Sequence, residues 1–281
     1  MINIVDGVVD LENSLPETHA EERINISKFK GRQVRIGLTA DNHLCSKYYR
    51  GDVLNALFDI WKEQGITEVY QCGNMIDGEA SFNRHELCVP PGIESQIDFF
   101  IKNWPHRDGI TTRFICGDDH EGWYTKNYGA NVGMAIIHAA KLAGRSDLEY
   151  LGYLEHDVIF EAKNGSCKMR IIHAGGGTAY ALSYTSQKLV ESLQGGEKPA
   201  VILIGHYHKA EYCYPREVHC VQAGCTMDQS PFMRKKRLQA MVGGWTISFT
   251  IDDNGVVHDF MPQFHAFYDR QFYRNWEYIW K

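Results

Sequence analysis

The eight cysteines of this 281-residue chain form no C-x-x-C pair and no compact, evenly spaced block. That excludes a disulfide framework and reads as reduced thiols in an intracellular compartment. A basic leader is missing as well: the first twenty residues hold Asp6, Asp10, Glu12 and Glu17 but no Lys or Arg, so no signal peptide is expected. No apolar run approaches the roughly 18 residues of a membrane span, and a soluble, cytoplasmic protein without membrane contact is expected. There is no internal repeat, low-complexity tract or linker. Gly175-Gly176-Gly177 lacks the G-x-G-x-x-G spacing of a dinucleotide site. The net charge of -6 carries no general excess of positive charge for nucleic acid, although a local basic groove is compatible with it.

What is present suits a folded α/β protein. Hydrophobic residues make up 44% and charged residues 23%, enough for a sizeable core. Residues 1–32 lack sustained periodicity and read as an N-terminal extension or edge element. From Val34 short apolar strands alternate with helical patterns, among them Asp52–Gln64 with Val53, Leu54, Leu57, Phe58 and Trp61 at helical spacing. Further helices are expected near 93–104, 131–142 and 178–193. In the second half strands follow one another closely, as in a layered α/β sandwich of one main domain, 33–259. The segment 260–281 carries nine aromatics and should bury against the domain or a partner.

Polar clusters fall where predicted strands end. Asp41-Asn42-His43 follows the first, Gly73-Asn74-Met75-Ile76-Asp77 the second, and Gly117-Asp118-Asp119-His120-Glu121 the third. Later strands end in His173 and in Gly205-His206-Tyr207-His208. Carboxyl ends of strands in α/β sheets line one crevice, so these residues should converge. A lone histidine is more often a core or surface residue than a ligand, and His19, His106, His138, His156, His219, His258 and His265 are left so. Five clusters, each at a strand end, describe a metal site instead. Mixed imidazole and carboxylate donors suit Mn2+, Fe2+ or Zn2+.

With these motifs the chain resembles the calcineurin-like metallophosphoesterases over about Val34 to Thr250. The family pattern runs D-x-H, G-D-x-x-D, G-N-H-[DE], a His, then G-H-x-H. The resemblance implies a β-sandwich flanked by helices, with two divalent ions at the strand ends, Mn2+ favoured. It further implies that Asp41, His43, Asn74 and His208 hold one ion, and Asn74, Asp119, His173 and His206 the other. His120 would protonate the leaving oxygen, and Asp77 would orient a ligand from behind. Two positions depart from the pattern: Asn74 stands where the family has a bridging Asp, and Asp119 where it has Asn. The exchange keeps the formal charge of the ligand set, although an amide offers one good acceptor where a carboxylate offers two. The Asp118-Asp119 doublet leaves the register open by one residue, and Asp119 is preferred because His120 and Glu121 then fall in place.

The expected activity is a metal-dependent phosphoesterase, with a phosphodiester of nucleic acid favoured. The alternatives are a nucleotide or phosphomonoester phosphatase and a catalytically weakened scaffold subunit. Arg234, Lys235, Lys236 and Arg237 form a compact basic run suited to backbone phosphates. Phe82, Arg84 and His85 follow motif two, and Tyr180 and Tyr184 offer faces on which bases stack. Basic runs are usually solvated and aromatics usually pack, so these are candidate substrate contacts only. A homo-oligomer is compatible with the sequence. The arrangement also resembles phosphoesterases encoded by bacteriophages, which would place it in a host cytoplasm.

Overall fold

The computed structural model describes residues 4–5, 8–9, 20–80, 83–177, 179–196 and 198–267. Apart from a small hairpin of β1 (Ile4–Val5) and β2 (Val8–Val9), the strands form two six-stranded sheets. The first sheet contains β4 (Gln33–Thr39), β5 (Glu68–Cys72), β6 (Thr111–Cys116), β7 (Leu148–Tyr153), β13 (Gly243–Ile251) and β14 (Val257–Ala266). Their spatial order is β14-β13-β4-β5-β6-β7. The second contains β3 (Ala20–Asn25), β8 (Glu155–Glu161), β9 (Ser166–His173), β10 (Val201–Gly205), β11 (Ala210–Cys213) and β12 (His219–Ala223), in the order β11-β12-β10-β9-β8-β3. Both sheets mix parallel and antiparallel pairs, with β4, β5 and β6 parallel in one and β9 and β10 parallel in the other. The fold is the helix-flanked α/β sandwich that the sequence leads one to expect.

Strand periodicity sorts the layers. Val34, Ile36 and Leu38 of β4 point between the sheets, where they meet Val158, Phe160, Met169, Ile171, Ile247 and Phe249. In β10, Val201 and Leu203 face that same interior, whereas Ile202 and Ile204 turn outward onto Val190 of α5 (Tyr184–Ser192). The outer face of the first sheet is covered by α1 (Gly51–Glu63), α2 (Ile93–Asn103), α3 (Gly122–Tyr128) and α4 (Val132–Leu142). The helical spacing of Val53, Leu54, Leu57, Phe58 and Trp61 becomes the buried face of α1. Trp61 also donates its indole N–H to Trp245 O at 3.1 Å, tying α1 to β13.

Several elements differ from the sequence pattern. The helix expected over 178–193 occupies only Tyr184–Ser192. Ahead of it, side chains capture the main-chain carbonyls that a longer helix would use: Lys209 Nζ donates to Ala179 O at 2.5 Å and Gln222 Nε2 to Leu182 O at 2.9 Å. β3, β7, β14 and the short helices α3 and α6 (Pro231–Lys236) have no counterpart in the strand and helix pattern. Of the aromatic residues after 259, Phe260 stacks on Phe249 and His219, Phe264 lies against Trp245, and Phe267 is buried under the helical layer. Tyr268, Phe272, Tyr273, Trp276, Tyr278 and Trp280 lie outside the described residues, as does Phe82.

Candidate metal centre

Parallel alignment of β4, β5 and β6 brings their carboxyl ends to one rim, and β9 and β10 deliver His173 and Gly205 in register opposite them. The sheets are stitched there by His173, whose Nδ1 donates to Cys72 O at 2.7 Å. Glu121, fully buried, holds the turns together by accepting from the backbone N–H groups of Gly117 (2.7 Å), Asn74 (2.8 Å) and Ile76 (3.3 Å). Burial pushes its pKa up to about 7 against the pull of those three bonds.

Asp41, His43 and His208 converge on one point. His43 Nε2 lies 3.2 Å from His208 Nε2 and 4.0 Å from Asp41 Oδ1, and His208 Nε2 lies 3.7 Å from Asp41 Oδ1. Ions bonded to nitrogen and oxygen at about 2.0–2.2 Å place their ligands roughly 3–4 Å apart, so the spacing fits one cation. Burial depresses the His43 pKa to about 4 and that of His208 well below the usual value, so both rings are neutral and carry a lone pair. Asp41 is wholly buried, and burial raises its pKa to about 8 although His206 N–H donates to its Oδ2 at 2.8 Å. Among the described residues the basic side chains within 4.0 Å of this carboxylate are imidazoles, with no Lys or Arg. A divalent cation would satisfy it.

Asn74, His173, His206 and Asp119 form the adjoining half. Because His173 donates from Nδ1, its Nε2 holds the lone pair, and that atom is buried without a partner. Asn74 Nδ2 donates to Asp41 Oδ1 at 3.2 Å, which leaves its Oδ1 buried and unpartnered too. Both acceptors abut Gly117: a Cβ there would stand 2.6 Å from Asn74 Oδ1 and 2.7 Å from His173 Nε2, so only glycine leaves this space open. His206 donates from Nε2 to Gly176 O at 2.8 Å and turns Nδ1 toward Asp119 Oδ2 at 3.5 Å. Among the described residues the acidic and imidazole groups gathered within a single ion's reach are Asp41, His43 and His208, and His43, Asp77 and His120; Asp119, His173 and His206 are not drawn together to that extent. Asp119 rather than Asp118 faces His206, while Asp118 pairs with Lys126 at 2.8 Å.

His120 stands beside the first group, its ring edge-on to His43 with 4.1 Å between centroids. Its Nδ1 lies 2.9 Å from Asp77 O and 3.2 Å from Asp77 Oδ1. Asp77 Oδ1 also lies 3.1 Å from His43 Nδ1, so one carboxylate orients both rings. Burial opposes charge on His120, but the bond to Asp77 and its charge outweigh that and raise the pKa. The same two histidines, acting against burial, hold Asp77 down at about 2.

Five of these residues have positive φ: Asp41 (48°), His43 (49°), Asn74 (59°), His206 (91°) and His208 (55°). Asp, Asn and His tolerate this region better than other side-chain-bearing residues, yet it carries backbone strain that the surrounding hydrogen bonds must overcome.

A cavity of about 330 Å3 opens onto the centre and is lined by His43, Asn74, Asp77, Asp119, His120, His206 and His208. None of the sequence-derived substrate candidates lines it. Arg84 is exposed, 3.5 Å from Glu79, and His85 is exposed, 3.5 Å from Glu86. Tyr180 is wholly exposed and Tyr184 half-exposed at the start of α5. Arg234, Lys235 and Lys236 end α6, with Arg237 capping it at φ 60°, where positive charge also complements the helix dipole. Arg234 and Arg237 instead line a neighbouring open groove that shares Leu238 with the cavity. Residues that sequence reasoning did not single out complete the cavity: Asn83, whose Nδ2 donates to Asp77 O at 2.7 Å, together with Glu86, Tyr207, Met227, Ser230, Phe232, Met233 and Leu238. Asn83 and Glu86 lie just after motif two, and that proximity was their available signal. Tyr207 stands between His206 and His208, and the others carry none.

No protein-family model matches the chain, and no curated protein matches it. Among solved structures it is similar to an archaeal phosphodiesterase, at 10% identity over 83% of this chain and 100% of that one, with a TM-score of 0.43. It is also similar to a 5'-nucleotidase from Staphylococcus aureus described as putative, at 9% identity over 85% and 55% of the two chains (TM-score 0.48). A 5'-nucleotidase precursor from Thermus thermophilus is 12% identical over 83% and 54% (TM-score 0.44). The chain thus spans about half the length of these two nucleotidases. At such scores the similarity supports no inference of function, which rests on the side chains of the site.

Proposed function

We propose that the chain is a metal-dependent phosphoester hydrolase with a two-ion centre. The observation that carries this is the convergence of Asn74 Oδ1 and His173 Nε2, buried and unpartnered, next to a neutral His43–His208 pair and the buried Asp41 carboxylate. Asp41, His43 and His208 would hold one ion, and Asn74, His173, His206 and Asp119 the other. Because Asn74 spends its Nδ2 on Asp41, its single oxygen serves the second ion and does not bridge the two. Two divalent ions held there would clamp a phosphate and bring the pKa of a bound water toward neutrality. The imidazole-rich set favours Mn2+, with Fe2+ or Zn2+ also suited.

His120 lines the cavity as an imidazole held toward its protonated form by Asp77, which suits it to give a proton to the leaving oxygen. Asp77 fixes the ring orientation of His120 and His43 and offsets the charge on His120. A phosphodiester of nucleic acid is the favoured substrate, because the groove bearing Arg234 and Arg237 continues from the cavity across Leu238. Metal analysis of the purified protein, alongside hydrolysis of bis-p-nitrophenyl phosphate with Mn2+, tests the reading. Bound metal and turnover support it; a metal-free protein inert with added Mn2+ would count against it.

A further inference from the structure

Gly175-Gly176-Gly177 follows β9 and borders the cavity through Gly176 and Gly177. A Cβ on any of the three would meet nothing within 4 Å, so no neighbour packs against that side of the run. Hydrogen bonds from the segment after β10 hold it instead. His206 Nε2 donates to Gly176 O at 2.8 Å, the Tyr207 hydroxyl to Gly175 O at 2.9 Å and Lys209 Nζ to Ala179 O at 2.5 Å. Tyr207 is itself seated against the cluster of Val190, Ile202 and Ile204. Its ring stands edge-on to His206 with 5.1 Å between centroids.

The bond to Gly176 decides which nitrogen of His206 can meet a cation. A neutral imidazole carries one N–H and one lone pair, and the bond made by one nitrogen sets the role of the other. Two acceptors compete for the proton: Gly176 O at Nε2, and Asp119, whose Oδ2 lies 3.5 Å from Nδ1. A carboxylate is the stronger acceptor of the two. Were it to win, the proton would sit between His206 and Asp119, where the second ion is to bind, and the lone pair would turn to the glycine run. Orientation counts most in this half, because Asp119, His173 and His206 are not drawn within a single ion's reach.

We infer that Tyr207 is a positioning residue for the second ion. Its hydroxyl fixes the Gly175-Gly176 backbone, and Gly176 O so placed keeps the proton on His206 Nε2 and leaves Nδ1 to the cation. The inference rests on the two-ion reading and deepens it.

Tyr207→Phe removes one hydroxyl from a half-buried ring and leaves its packing in place. Long-range proton–nitrogen correlation spectra of the metal-free, histidine-labelled protein, at mildly alkaline pH, show which nitrogen of each neutral ring holds the proton. His206→Gln assigns the His206 signals. The parent should show Nε2–H at His206, and Tyr207→Phe should move a substantial share to Nδ1–H. Calorimetric titration with Mn2+ should show the second ion weakened about three- to tenfold, the effect of one lost hydrogen bond, with the first ion within about twofold of the parent. A merely structural role would weaken both ions alike and leave the tautomer as it was. Unchanged Nε2–H in the variant, unchanged second-ion binding, or equal weakening of both ions overturns the inference. If the parent binds a single Mn2+, the two-ion reading fails; a shift to Nδ1–H then retains Tyr207 as the residue that sets the ring, and no shift overturns both.

Discussion

The two carboxylates of the candidate centre occupy opposite circumstances. Asp41 is wholly buried and fixed by two hydrogen bonds, from His206 N–H and Asn74 Nδ2. The side chain of Asp119 is 43% exposed and faces the His206 ring at 3.5 Å. One half of the site is therefore built before any cation arrives, and burial holds its carboxyl group toward the protonated form until one does. The other half has buried acceptors on Asn74 and His173 but completes its shell with an exposed side chain. A preformed half should hold its ion tightly, and a half that must gather a loose ligand should hold it less well.

Chelation is the bluntest way to break the comparison, because it empties both halves. Excess EDTA should abolish hydrolysis, and Mn2+ should restore it better than Mg2+, which prefers all-oxygen shells; full activity in EDTA would remove the basis of the metal reading. Asp41→Asn should come close to the same result, with loss of bound metal by elemental analysis and activity down at least about 100-fold. His120→Ala separates chemistry from metal retention. Turnover should fall roughly 10²–10⁴-fold while metal content stays near that of the parent, and loss of metal would make His120 a ligand.

Asp119→Asn acts on the weaker half alone. Mn2+ titration should then show one tight ion and a second weakened by about 10–100-fold. Asn74→Asp should strengthen that second site, since it adds a carboxylate between the two groups. Unchanged binding in Asp119→Asn, together with weakened binding in Asp118→Asn, would move the ligand to Asp118. The smallest effect concerns pH. His120 acts protonated, so activity declines as pH rises through its pKa, and Asp77 raises that pKa. Asp77→Asn should move the alkaline limb of the pH–rate profile to lower pH, by about one unit; a limb that does not move would show that another group sets it.

How much of this could be read in advance depended on whether the signal was local. Asp41, His43, Asn74, Asp119, His173, His206 and His208 stand immediately after or at the ends of apolar runs, and parallel strands bring such ends together. The sandwich was legible for the same reason, through alternation in stretches such as Val34–Leu38. The cavity wall was not. Phe232, Met233 and Leu238 lie in a segment whose conspicuous feature is its basic charge, and charge gives no direction. Arg234 and Arg237 turn to the outer groove while Phe232 and Met233 turn inward, a consequence of helical spacing over a six-residue helix too short to announce itself. The false start of the helix at 178 has a similar origin: its carbonyls are taken by Lys209 and Gln222, residues distant in sequence.

The left-handed backbone at Asp41, His43, Asn74, His206 and His208 sets stability and activity at odds. Glycine at any of the five would relax the local chain, recovering on the order of 1 kcal/mol, and would delete a donor from the centre. Selection for heat resistance alone, with no demand for turnover, would erode these positions first. Selection in the presence of a bound cation would work the other way, since a ligand that binds only the folded chain makes each donor a source of stability.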